Sequence, residues 1–418
     1  MTEVNPDCFH MSASAIQAFK ACPTRFRLGY REGLREAEDT DSQRMGTNWH
    51  ALHEVYQNAF KPSFPYEQEA HEDAFDAAIA HLNEQYEQVP ATKTPYEWEV
   101  ERQTLLMSFV GYLWYWQEDP IEPIASEVKF DLPLHAPKTG MPLPLSQVKR
   151  VGMIDTVIRW QGMVGNREIK STSRSIDPSG DYWERAQKDT QVSMYALAFA
   201  DMRKHGLEKY GIEGVRDHER VGNTMYDVWH KPTMKPTTLS QKDTKALVES
   251  GKYFDTDFDI AVENERAEET GEQDAKGNAK TVQTADVTVD GEAVEVVPGA
   301  KGFAIKESPA MFGARLLDDI TERPEFYFQR KEIARTDKEL QKFRVELFNI
   351  YQAQRMYDKT GCWFENEQQC RATFPCPFIP ICYGPGADAV CDGETTPEGF
   401  KRIFTEVTVE GQNLNEGE

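Results

Sequence analysis

The stretch 151–172, VGMIDTVIRWQGMVGNREIKST, constrains the fold more than any other. Two apolar, β-branched runs flank a polar break, which is the pattern of an antiparallel hairpin bound for a core. Asp155, Glu168 and Lys170 interrupt it. Side chains alternate along a strand, so Glu168 and Lys170 share one face and Ile169 takes the other. If Gln161-Gly162 makes the turn, facing residues have numbers summing to 323, and Asp155 lies opposite Glu168 with about 5 Å between Cβ atoms. A turn at Gly165-Asn166 gives a different register.

Two buried carboxylates this close repel each other and disfavour folding. A divalent cation removes the conflict. Mg²⁺ takes oxygen ligands, commonly one or two carboxylates, with water and substrate phosphate completing its shell. A lysine on the same face can neutralise charge on a phosphoryl group or act on an attacking water. These are the parts for metal-assisted phosphodiester hydrolysis. The competing reading is a structural Asp–Lys or Glu–Lys pair on a half-exposed sheet.

Around the hairpin, SASAIQAFKAC reads as a helix closed by Cys22-Pro23, and MGTNWHALHEVYQNAF and EWEVERQTLLMSFVGYLWYWQ as two more. PIASEVKFDLPL alternates like a strand. Residues 182–206 read as one long amphipathic helix ended by Gly206, and TDKELQKFRVELFNIYQAQRMYD as a last long helix. Between 255 and 305 acidic residues predominate, and the region reads as an insertion. Within it, 263–281 lacks apolar periodicity and is expected to be a mobile loop, and Asp290-Gly291 a turn in a small hairpin. Residues 1–400 are expected to form a single domain, with a flexible tail at 405–418.

With 39% hydrophobic and 11% aromatic residues, the 418-residue chain can bury a sizeable core. No apolar run approaches the roughly 20 residues that cross a bilayer, and the start lacks the features of a secretory signal. A cytoplasmic protein is expected, with no membrane partner. The net charge of −23 argues against a protein that coats nucleic acid, while leaving room for a local basic channel. There is no Gly-x4-Gly-Lys-(Ser/Thr) loop, hence no sign of an ATPase motor. Five of the seven cysteines fall between 362 and 391, a cluster that fits a metal site or chance better than a disulfide framework.

The same parts in the same order resemble the PD-(D/E)xK nuclease superfamily, in particular its RecB-type branch. Its Gly-x-x-Asp strand is matched by Gly152 and Asp155, and its (Asp/Glu)-x-Lys strand by Glu168 and Lys170, although Ile154 stands where the superfamily's name has proline. Its upstream Gly-x-x-x-His is matched by Gly46 and His50, and its downstream Gln-x-x-x-Tyr by Gln191 and Tyr195. The resemblance implies an α/β, restriction-endonuclease-like core, with a central mixed sheet flanked by helices. It implies a Mg²⁺ or Mn²⁺ site on His50, Asp155 and Glu168. Lys170 would be the catalytic ammonium, and Gln191 and Tyr195 would support the site or contact DNA. Glu127 is a further candidate, because similar enzymes carry a glutamate before the hairpin.

Cys370, Cys376 and Cys382 are separated by five residues each time, unlike the Cys-x2–4-Cys pairs of structural zinc sites. AddB-type nuclease domains and the CRISPR-associated adaptation nuclease set one cysteine before the catalytic core and three after it. By that resemblance Cys22, Cys370, Cys376 and Cys382 would hold a [4Fe–4S] cluster. The cluster would close the fold by joining Cys22 to the 362–391 segment, with Cys362 as the reserve ligand. Buried free thiols are the alternative.

Arg25, Arg27, Arg31 and Arg35, interleaved with Phe26 and Tyr30, suit either a strand-tracking groove or a solvated helix face. Lys149, Arg150 and RPEFYFQRKEIAR offer further cations for phosphate. The resulting expectation is a free-standing DNA exonuclease acting on single-stranded ends in recombination, repair or replication, beside a helicase or recombinase. Free-standing members of this kind resemble those of bacteriophages and bacteria. The alternatives are a silent DNA-binding or scaffold protein, and a zinc-stabilised protein whose hairpin charges are structural.

Overall fold

The 151–172 hairpin forms around Gln161-Gly162, where both residues take positive φ (48° and 73°), as a tight two-residue turn requires. The computed structural model describes residues 8–60, 67–216, 218–273, 279–372, 375–391 and 396–403. The tail expected at 405–418 lies outside them. Its main sheet contains β1 (Phe9–Met11), β2 (Glu122–Pro133), β3 (Val148–Trp160), β4 (Met163–Thr172), β5 (Arg220–His230) and β6 (Phe328–Ile333). The order is β1-β3-β4-β5-β6, with β2 on the other edge of β3. β1 and β3 are parallel, as are β4 and β5, and the other neighbours are antiparallel, so the sheet is mixed.

The flanking helices are α1 (Ala13–Ala21), α2 (Asp41–Ala59), α3 (Pro95–Tyr115), α4 (Thr190–His205), α5 (Pro309–Glu322) and α6 (Asp337–Thr360). One apolar cluster joins Ile16 and Phe19 of α1, Met194 and Leu197 of α4 and Leu347 of α6 to Ile154 and Val157 of β3. A second joins Trp49 and Leu52 of α2, Phe109 of α3 and Leu316 of α5 to Ile169, Trp229 and Phe328. Helices therefore cover both faces of the hairpin, which accounts for its apolar runs.

The helix expected over 182–206 is interrupted. It divides into Asp181–Ala186 and α4, because the Asp189 carboxylate accepts from Gln191 N at 2.8 Å and starts the second helix afresh. The loop expected at 263–281 is corrected more strongly. Strands Ile260–Gln273 and Ala279–Val289 pair antiparallel within a five-stranded sheet. Arg266 pairs across the strands with Asp286 and along its own strand with Glu268, and Lys280 pairs across with Glu272, so charge that looked like disorder is paired on a solvated ribbon. The sheet has its own core, which includes Leu247, Val287 and Ile305 and reaches Met311 of α5.

The chain ends interlock. Residues Leu34–Glu36 pair antiparallel with Phe400–Arg402. The Thr24 hydroxyl is 3.0 Å from both the Trp363 and Phe364 carbonyls, and Asn366 donates to the Ala21 carbonyl at 2.9 Å. Arg27 meets Asp388 at 2.6 Å, Arg31 meets Asp358 at 3.4 Å, and Arg35 donates to backbone carbonyls. Phe26 is buried. Of the arginine run, Arg25 alone is exposed, while Arg27, Arg31 and Arg35 are half-buried and bonded within the protein.

Arg150, expected at phosphate, is also internal. It is 2% exposed, donates to the Pro133 carbonyl and pairs with Asp201 at 2.6 Å. Asp201 also binds Arg344 of α6 at 3.1 Å, so one carboxylate joins β3, α4 and α6. Burial alone would raise its pKa, but the two guanidiniums override that and hold it at about 2. Its contribution is complete above the unfolded value of about 3.9 and is lost as pH falls through about 2. Asp201→Ala should lower the unfolding free energy by about 3–5 kcal/mol, because two cations lose their counter-charge. Denaturant unfolding near neutral pH measures this, and the deficit should shrink in acid.

Candidate active site

The backbone ladder of the hairpin runs from Trp160↔Met163 to Thr156↔Arg167 and stops. The next positions are Asp155 and Glu168, as the sum of 323 requires. Here the strands part, and a side chain replaces the ladder: Ile169 N donates to Asp155 Oδ2 at 2.8 Å. On that edge of β3, residues 151–155 lie between the segment paired with β1 and the segment paired with β4. Asp155 thus stands where the two strands diverge.

Glu168 is almost fully buried, and its Oε1 accepts from Lys170 Nζ at 2.8 Å and from Gln191 Nε2. Lys170 also donates to Gln191 Oε1 at 2.7 Å, which closes a three-membered ring of contacts. Gln191 reaches it because Asp189 caps α4. The other Asp189 oxygen accepts from the Tyr226 hydroxyl at 2.7 Å, and Lys170 Nζ lies 5.8 Å from the Tyr226 ring centroid. Asp189 and Tyr226 escaped the sequence reading. A polar residue before a helix signals a cap, but not what the capped helix will touch.

His50 lies on α2 with Nδ1 3.6 Å from Asp155 Oδ2. Two turns on, Gln57 Oε1 accepts from Thr156 at 2.9 Å and Ser126 at 3.2 Å and fastens the helix to the strands. His53 packs instead among Trp49, Phe109 and Tyr112. Glu127 holds φ +49° inside β2, at the position opposite Asp155, a conformation unfavourable for a side chain with a Cβ. Burial, then the Glu127 charge and a hydrogen bond that the protonated Glu54 carboxyl donates to Glu127, push Glu54 upward.

Tyr195 lies one turn beyond Gln191, but its ring is in the core, edge-on to Phe130 at 5.8 Å. A Cβ on Gly152 would come within 2.6 Å of the Phe130 ring and 3.1 Å of Tyr195. The Gly-x-x-Asp glycine therefore makes room for this aromatic pair. Arg330, in the second basic stretch, is internal as well, bonded to Asp227, Asp119 and Tyr112 and 3.8 Å over the Trp116 ring centroid. It is not available to a phosphate.

Burial, and next the Asp155 charge, push Glu168 up to about 8 against the pull of Lys170. Burial likewise pushes Asp155 up to about 6, opposed by Lys170 and the Ile169 N–H. For Lys170, burial acts downward, but Glu168 and Asp155 outweigh it and keep the ammonium charged. Glu168 Oε2 is buried without a hydrogen-bond partner. An orphaned carboxylate oxygen beside a second carboxylate fits a divalent cation that takes one or two carboxylates and completes its shell with water and substrate. Among the described residues, no three His, Cys, Asp or Glu are arranged to hold an ion by themselves.

Cys22, Cys370 and Cys376 lie close enough to Cys382 to act on its thiol, but among the described residues no three of these thiols are arranged to hold a metal ion. Burial, Glu365, Cys376, Cys22 and Cys370, in that order, push Cys382 up to about 12, and Cys22 and Cys370 act on Cys376 in the same sense. Asn366 N donates to Cys22 Sγ at 3.4 Å, and Cys376 N to the Cys370 carbonyl at 2.8 Å. Cys362 is exposed, and Cys391 faces Glu32 and Arg27. Among the described residues, no helix is long and apolar enough to cross a membrane.

Residues 10–383 match the family model of the PD-(D/E)XK nuclease superfamily. No curated protein matches the sequence.

Because Glu168 and Asp155 hold their protons more tightly folded than unfolded, each favours the folded state below its unfolded pKa. That contribution fades as pH rises through the folded value. In chelator, wild-type protein should therefore lose thermal stability from about pH 5 to about pH 8. Glu168→Gln should flatten that slope, and thermal unfolding across the range measures it. A divalent cation should restore wild-type stability at the alkaline end and leave Glu168→Gln nearly unchanged.

Proposed function

We propose that this chain, which belongs to the PD-(D/E)XK nuclease superfamily, is a Mg²⁺- or Mn²⁺-dependent deoxyribonuclease that degrades single-stranded DNA ends. Members of the superfamily are generally nucleases and typically use Mg²⁺ or Mn²⁺. The observation that carries the reading is the Glu168 carboxylate. One oxygen is tied to Lys170 and Gln191, and the other is buried, unpartnered and next to Asp155.

Asp155 and Glu168, with His50 beside them, would hold the cation. Bound there, it would polarise a phosphoryl oxygen and acidify a water. The chain's own residues do the rest. The Ile169 N–H fixes the direction of Asp155. Gln191 and Glu168 orient the Lys170 ammonium, which keeps its charge and directs a remaining N–H at the phosphate or the attacking water. Lys170→Ala should reduce hydrolysis by at least about a hundredfold while leaving the fold intact. A nuclease assay with single- and double-stranded, end-blocked and open DNA, in chelator and in each metal, tests the reading. Full activity of Lys170→Ala would overturn it.

A second part of the proposal is that Cys22, Cys370, Cys376 and Cys382 hold a [4Fe–4S] cluster that clips the chain ends together. The mutual proximity of these thiols and the interlocked terminal segments support it. An anaerobic preparation should be brown with broad absorption near about 400 nm, and Cys376→Ser should lose colour and stability together. A colourless protein with one zinc per chain would replace the cluster with a zinc site. The setting, in recombination, repair or replication beside a helicase or recombinase, belongs to the same proposal and rests on the family resemblance.

A further inference from the structure

At the end of β5, just past the His230↔Thr172 pair, stands a lysine that the hydrolytic centre does not use. Lys231 is 7% exposed, and its backbone N–H donates to the Thr172 carbonyl at 2.8 Å. Its ammonium bonds the Ser42 carbonyl and, at 2.9 Å, the Ser42 hydroxyl. No carboxylate lies within ion-pair distance of it among the described residues. Glu101 is the nearest acidic influence, and that carboxylate is bound by Arg44 at 2.7–2.8 Å and by the Tyr86 hydroxyl at 2.7 Å. Burial lowers Lys231 to about 8, which leaves it charged at neutral pH. A buried cation without a counter-ion is unfavourable unless an anion completes it.

The surroundings suit an anion. Ser42 is in the first turn of α2, so the helix adds positive potential. A Cβ on Gly46 would lie 3.1 Å from Ser171 Oγ and 4.0 Å from Lys231 Nζ, so the bare glycine leaves both groups uncovered. Gly46 and His50 share a face of α2, about one turn or 5.4 Å apart along the axis. Ser171 follows Lys170 but points to the other face of the strand, the face of Ile169 on which α2 packs. The cation thus lies along α2 from His50, which stands 3.6 Å from Asp155.

We propose that Lys231, with the Ser42 and Ser171 hydroxyls, forms a subsite for a phosphate group of the nucleic-acid substrate, adjoining the Asp155–Glu168–Lys170 centre. This rests on the nuclease reading of that centre. The phosphate is either an internal phosphodiester or a terminal phosphomonoester, since both present the same oxygens. Lys231→Gln removes the charge, Lys231→Arg keeps it, and Gly46→Ala covers the ammonium with a methyl group while improving helix propensity.

Binding is measured with calcium in place of magnesium, on single-stranded oligonucleotides with and without a 5′-phosphate. Lys231→Gln should weaken binding about tenfold, as loss of one charge-assisted contact would. It should also reduce the slope of log K against log salt by about 0.7, the share of one phosphate on a single strand. Gly46→Ala should weaken binding without lowering the melting temperature, and Lys231→Arg should retain most of the affinity. Equal loss on both oligonucleotides identifies an internal phosphate, and loss confined to the phosphorylated one identifies a terminal phosphate.

Unchanged affinity and salt slope in a folded Lys231→Gln protein would overturn the subsite. If that variant does not fold, unchanged binding by Gly46→Ala overturns it instead. Hydrolysis separates the two readings. Wild-type cleavage lost in Lys170→Ala, with binding untouched in Lys231→Gln, removes the subsite alone, whereas a wild-type protein that neither binds nor cuts DNA removes both.

Discussion

The hydrogen bond from Ile169 N to Asp155 Oδ2 holds the site together. A regular hairpin would continue its ladder through Asp155 and Glu168 and place the two carboxylates side by side. By parting at that point, the strands let one carboxylate replace a backbone acceptor and leave the other buried with one oxygen unpartnered. Everything else attaches to that fork. Gln57 fastens α2 across β2 and β3, which brings His50 near Asp155. Asp189 restarts a helix so that Gln191 can reach Glu168. The site is strained electrostatically, with two carboxyls whose proton affinities are raised and one ammonium bonded to Glu168 and Gln191.

The second constraint acts at the other end of the molecule. The first helical segments and the last ones are tied by a strand pair, by Thr24 and Asn366, and by arginines that look like nucleic-acid ligands in the sequence. Cys22, Cys370, Cys376 and Cys382 lie in the same region and influence one another electrostatically. Closing so long a loop restrains the unfolded chain, and a metal or cluster bound at that place would add its own binding energy to folding.

What was legible in the sequence was what depends on local pattern. The hairpin, its Gln161-Gly162 turn and the placement of Asp155, Glu168 and Lys170 follow from alternation and from glycine's tolerance of positive φ. The expectation that Cys22 joins the distant cysteines rests on resemblance, since spacing alone cannot say which thiols meet. What escaped depends on tertiary partners. Arg150 and Arg330 looked like surface cations because nothing local shows that Asp201 and Asp227 wait for them in the core. Residues 263–281 looked disordered because their stabilising charges lie across a strand pair, beyond the reach of any window along the chain. Tyr195 has the spacing that places it beside Gln191, yet its ring turns to Phe130, because Gly152 opens a space there.

These corrections change how an acidic protein can engage an acidic polymer. The net charge of −23 disfavours wide contact with nucleic acid, and Arg27, Arg31, Arg150 and Arg330 are already paired internally. Among the cations that the sequence offers for phosphate, Arg25 is exposed, and Lys170 stands at the fork, bonded to Glu168 and Gln191. Arginines held in internal ion pairs release no counterions from a bound strand, so they would add nothing to the salt dependence of its affinity. That is a physical reason for such a protein not to coat DNA.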